Sequence, residues 1–83
     1  MTKEEIINTV LNLDIISIED IQGYTLFNKN LSIFEGAILS VCSRGVVVTY
    51  DNGDRKYMYA LTPFEEIKKI TYSKAYLKTE IIE

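Results

Sequence analysis

The chain has no histidine and no tryptophan among its 83 residues, and only one cysteine, one proline and four glycines. Without histidine it lacks the side chain that most often exchanges a proton near neutral pH and the commonest nitrogen ligand for zinc, so histidine-dependent triads and relays are excluded. A lone cysteine, Cys42, allows no intrachain disulfide and suits a reducing compartment. Cys42 sits in an apolar run, where free cysteine behaves as a small buried hydrophobe; Arg44 is the neighbouring cation that a reactive thiol would need. Gly23, Gly36, Gly45 and Gly53 are spaced as turn or bulge residues, too far apart for a phosphate loop or a dinucleotide fingerprint. No apolar run approaches the roughly 20 residues of a membrane span, and the opening MTKEEIINTV has no basic region leading into an extended apolar one. A cytoplasmic protein is therefore expected.

Charge is moderate and slightly acidic, with nine basic residues against twelve acidic ones and a formal net charge of -3. A general nucleic-acid binder gains its affinity from a basic field, so this balance argues against one while leaving room for a local patch. Hydrophobic residues make up 47% of the chain and charged residues 25%, a composition that can fold. One small domain over residues 1–83 is expected, with no room for a separate substrate domain.

The strongest local signal is VVVTYDNGDRKYMY, from Val46 to Tyr59. Asn-Gly between two runs rich in Val, Thr and Tyr predicts a hairpin with a two-residue turn. That turn pairs Asp51 with Asp54, Thr49 with Lys56, Val48 with Tyr57, Val47 with Met58 and Val46 with Tyr59. Because strand side chains alternate, Val46, Val48, Tyr50, Tyr57 and Tyr59 fall on one face, expected to be the core face. Upstream, Ala37 to Cys42 forms a third strand across Ser43-Arg44-Gly45. A two-residue turn there sends Leu39 and Val41 inward with Val48 and leaves Ser40 with Thr49 outside, whereas a glycine bulge reverses the faces; the first buries more apolar surface. Gly45 is available for a positive φ in that turn.

Thr2 and Glu5 fit a capping box, followed by Ile6, Ile7, Val10 and Leu11 at helical spacing, so a short amphipathic helix ends near residues 12–14. Ile15, Ile16, Ile18 and Ile21 read two ways: a second helix begun after Ser17 and stopped by Gly23, or a short strand through Ile15-Ile16, where three β-branched residues surround a single serine. Tyr24 to Phe27 and Leu31 to Phe34 are strand-like runs, divided by Asn28-Lys29-Asn30 in Asx-turn geometry. Gly36 is placed at a bulge. Thr62, Pro63 and Glu65 supply helix start signals for a short helix or one 3₁₀ turn, with Phe64, Ile67 and Ile70 inward. Residues 71–83 read equally as a sheet edge or a frayed helix. The expected fold class is α+β: an N-terminal helix on a curved antiparallel sheet of four or five strands, an element order that allows closure into a small SH3-like or Sm-like barrel.

No constellation carries catalysis, and the expectation is a protein without enzymatic activity or cofactor. Asp51 and Asp54 flank a tight turn but lack the further oxygen ligands of a calcium loop, so no metal site is assigned. A noncatalytic interaction module, of the inhibitor or regulatory accessory kind, binding another protein or a second copy, is expected from the supply of tyrosines, whose rigid rings suit interfaces. The interface candidates are Tyr24, Tyr72, Tyr76 and Leu77. The alternative is a small RNA- or single-strand-binding domain using Arg44, Arg55 and Lys56, with tyrosines for stacking.

Overall fold

The structure, a computed structural model, describes residues 1–51, 57–74 and 78–82. It opens with helix α1, Lys3–Asn12, begun by the expected capping box. The Thr2 hydroxyl accepts from the Glu5 amide at 3.1 Å, and the Glu5 carboxylate accepts from the Thr2 amide at 3.2 Å. Ile6, Thr9 and Val10 form the buried face, and the Thr9 hydroxyl is satisfied by donating to the Glu5 carbonyl at 2.6 Å.

Among the described residues seven strands follow: β1 Asp14–Asp20, β2 Thr25–Asn28, β3 Ile38–Val41, β4 Gly45–Asp51, β5 Tyr57–Pro63, β6 Ile67–Lys74 and β7 Lys78–Ile82. They form two antiparallel sheets in the orders β2-β1-β6-β7 and β3-β4-β5. This corrects the expectation of a single curved sheet of four or five strands, and neither sheet closes into a barrel. The chain leaves the three-stranded sheet at Pro63, turns through 3₁₀ residues Phe64–Glu66, and re-enters the other sheet at Ile67. The chain thus changes sheets twice, between β2 and β3 and again at this turn.

Asp14–Asp20 is strand, longer than the expected Ile15-Ile16 pair, and no helix begins at Ser17; Ile21 lies in the turn that follows. Ile15 and Ile18, three apart, are both buried. A register shift against β6 between Ile15 and Ser17 adds a residue on β1 and reverses its alternation, so both isoleucines face the core. Gly23 (φ 88°) lies in the β1–β2 turn, where the Asp20 carboxylate accepts from the Gln22 and Tyr24 amides, both at 2.9 Å. Leu31 to Phe34 is not a strand: Ser32–Phe34 makes a 3₁₀ turn, entered through an Asx turn in which the Asn28 side chain accepts from the Asn30 amide. Gly36 (φ 75°) sits in the turn before β3.

Both sheets and the helix contribute to one core, built around Ile6, Ile18, Ile70, Val46 and Val48. A chain of rings spans the sheets, from Phe27 on β2 to Phe34 at 5.7 Å and on to Tyr50 on β4 at 5.6 Å. Phe64, Ile67 and Ile70 are buried as expected. Thr62, expected to cap a helix, is instead a buried β5 residue opposite Val46, and its hydroxyl caps nothing.

The β3–β4 register bears out the two-residue turn: Leu39 opposes Val48 and Val41 opposes Val46, with Ser40 opposite Val47. Gly45, however, is needed for contact rather than for a positive φ. It lies in β4 opposite Pro63, and a Cβ built there would fall on the Thr62 carbonyl. The β4–β5 register overturns the central expectation. Val46 pairs with Thr62, Val48 with Ala60, Tyr50 with Met58 and Asp51 with Tyr57, a displacement of three residues from the register of a two-residue turn. The Asn52-Gly53 turn itself lies outside the described residues. An odd displacement exchanges the faces of a strand. Tyr59, expected in the core, is therefore 74% exposed, and Tyr57 is not the neighbour of Val48. No helix among the described residues is long and apolar enough to cross a membrane.

Candidate interaction surface

Strand β5 presents the most unusual surface of the molecule. Its only strand neighbour among the described residues is β4. Met58, Tyr59, Ala60 and Leu61 are all exposed, so the strand overhangs the core and shows solvent both of its faces. Tyr59 and Leu61 share the outer face with Ile38 of β3, itself exposed. From Tyr57 to Pro63 the strand reads YMYALTP and carries no charge.

The direction of its backbone groups follows from the turns around it. The Cys42 amide donates to the Gly45 carbonyl at 2.9 Å, which points Gly45 toward β3. Neighbouring residues on a strand point their backbone groups to opposite sides, so Val46, Val48 and Tyr50 face β5 and bond to Thr62, Ala60 and Met58. The Phe64 amide, donating to the Arg44 carbonyl at 3.3 Å, has the same parity. Tyr57, Tyr59 and Leu61 therefore direct their N–H and C=O groups away from the sheet, toward the open edge. Pro63, next in that series, offers only its carbonyl.

The edge strands β2 and β3 are protected. Each is four residues long, and α1 packs against β3. Short length, charge, proline and covering elements are the usual means of blunting an edge, and among the described residues β5 has only Pro63, at its end.

The residues singled out in the sequence are dispersed. Tyr24 is exposed at 68%, beside the exposed Ile21 in the β1–β2 turn. Tyr72 is a core residue at 6%, paired with Ile15, and is not part of the surface of this chain. Tyr76, Leu77, Arg55, Lys56 and Asp54 lie outside the described residues. Arg44 lines a cleft of about 570 Å³ with Lys3, Ser43, Pro63, Phe64 and Glu65, in which the Lys3 ammonium stands 5.4 Å from the centre of the Phe64 ring. Cys42 is a free, half-buried thiol at the β3–β4 turn. Among the described residues no three His, Cys, Asp or Glu side chains gather as metal ligands would. Sequence reasoning passed over Met58, Ala60 and Leu61, because both alternating sets of β5, Tyr-Tyr-Leu and Met-Ala-Thr, are apolar enough to pass for a core face.

No protein family matches the chain, and neither a curated protein nor a solved structure does. The surface has to be interpreted from its own chemistry.

Proposed function

We propose that this chain is a noncatalytic, cytoplasmic protein-interaction module of the regulatory or inhibitory kind, and that it binds through the β5 edge and the outer face beside it. The observation that carries the reading is the exposure of Met58 to Leu61 in an uncharged seven-residue edge strand, with Tyr59 and Leu61 on its outer side. An open row of backbone donors and acceptors recognises an extended segment, and the tyrosine and leucine beside it add apolar area that water solvates poorly. The mechanism is steric: a partner strand or surface seated there is occupied and withheld from other contacts. The nucleic-acid alternative has weaker support, since Arg44 and Lys3 share their cleft with Glu65 and the chain carries a net charge of -3.

A photo-crosslinking residue in place of Tyr59, activated in cells, tests the reading. Covalent adducts with protein are expected at position 59 and not at an exposed control position such as Glu35. Equal labelling at both positions, or none at either, refutes the assignment.

A further inference from the structure

Resting on that reading, we infer that the occupant of the β5 edge is β5 of a second copy of this chain, paired antiparallel about a twofold axis through Ala60. The edge favours a strand as its occupant, because the outward groups on Tyr57, Tyr59 and Leu61, bonded to water in the free chain, are spaced to be taken up together by an extended backbone. Charge does not oppose the copy at this strand. Two molecules of net charge -3 repel in general, but over Tyr57 to Pro63 they meet with no charge on either side. A basic partner, which the acidic total would otherwise favour, finds no carboxylate on this strand to pair with.

The sequence of the strand is self-complementary in this register. With Ala60 opposite Ala60 of the copy, Tyr59 opposes Leu61 and Leu61 opposes Tyr59. All of these point their backbone groups outward, so each such pair exchanges both of its hydrogen bonds. The Tyr57 amide meets the Pro63 carbonyl, and the amide missing from Pro63 falls at the end of the ladder, where its loss is least costly. On the outer face an aromatic ring lies against a leucine on each side of the axis, a favourable cross-strand pair. On the other face the small Ala60 side chains meet at the axis, a non-hydrogen-bonded pair with Cα atoms about 4.5 Å apart. The product is a continuous sheet, β3-β4-β5 joined to its own twofold copy, with an isologous interface that closes at two chains.

Sedimentation of the purified full chain under reducing conditions should show a concentration-dependent monomer–dimer equilibrium. Tyr59→Lys and Leu61→Lys, each of which places two like charges near the axis, should abolish the dimer while leaving the urea midpoint of the monomer unchanged. Amide exchange gives a second signature that needs no variant: Tyr59 and Leu61 amides should slow as concentration rises, whereas the Ala60 amide, already bonded to β4, should not respond. Ala60→Cys in a Cys42→Ser background should form a disulfide-linked dimer on mild oxidation, since the expected Cα separation is within disulfide reach. A monomer at every concentration overturns the inference, as does a dimer that survives both lysine variants or leaves Tyr59 exchange unchanged. Crosslinking of position 59 to a protein other than this chain, with the pure chain monomeric, would sink the second-copy partner and leave the interaction-module reading standing.

Discussion

Gly45→Ala should be the most informative single substitution in the scaffold, because it adds one methyl group where two backbones touch. A Cβ at Gly45 would fall on the Thr62 carbonyl oxygen, 2.7 Å from the Thr62 carbonyl carbon and 2.8 Å from the Pro63 Cα. Ordinary contact begins near 3.4 Å, so β4 and β5 would have to separate by more than half an ångström at this pair. Neither obstacle is a side chain that can rotate away. Overpacking of this kind costs about 1 to 3 kcal/mol, and the backbone contact places it toward the upper end. Alanine also restricts the unfolded chain, which returns about 0.4 to 1 kcal/mol. A net destabilisation of about 2 kcal/mol follows, a large part of the ~4 to 12 kcal/mol expected for 83 residues. The assay is urea unfolding followed by circular dichroism, with Gly36→Ala as the contrast. Gly36 has open space around it but a φ of 75°, so its substitution costs about 1 to 2 kcal/mol through backbone strain alone. Only Gly45→Ala should also speed amide exchange at Thr62 and Ala60 relative to the rest of the sheet. A Gly45→Ala protein within about 0.5 kcal/mol of the parent would refute the close approach and, with it, the register that exposes Tyr59.

Ile70→Ala removes a fully buried side chain from the middle of the four-stranded sheet and should cost about 2 to 5 kcal/mol by urea titration; a cost under about 1 kcal/mol would contradict its place in the core. Thr2→Ala removes one half of the capping box and should cost about 1 kcal/mol, with Thr2→Ser restoring most of it. Lys29→Ala breaks the 3.0 Å ion pair with Asp14, but both side chains are well exposed, so the change in unfolding free energy should stay below about 1 kcal/mol and shrink further in high salt.

The capping box, the 3₁₀ turn after Pro63 and the β3–β4 pairing were legible in the sequence because each is set within a few residues: a hydroxyl and a carboxylate three apart, a proline before Phe64, a two-residue turn between Cys42 and Gly45. The β1 strand was ambiguous because Ser17-Ile18-Glu19-Asp20 resembles a helix cap and Gly23 a helix stop, whereas the bulge that turns both Ile15 and Ile18 inward is defined by the partner strand. Composition settled other matters without any fold: no histidine chemistry, no intrachain disulfide, no phosphate loop. The face of β5 was decided elsewhere. Asn52-Gly53 favours one register locally, but Gly45 lets Pro63 and Thr62 lie against β4, and Val46 and Val48 then take Thr62 and Ala60 as partners. Period-two alternation turns that displacement into an exchange of inside for outside, and it is this long-range choice, made by packing at the far end of the ladder, that brings Tyr59 and Leu61 to the surface.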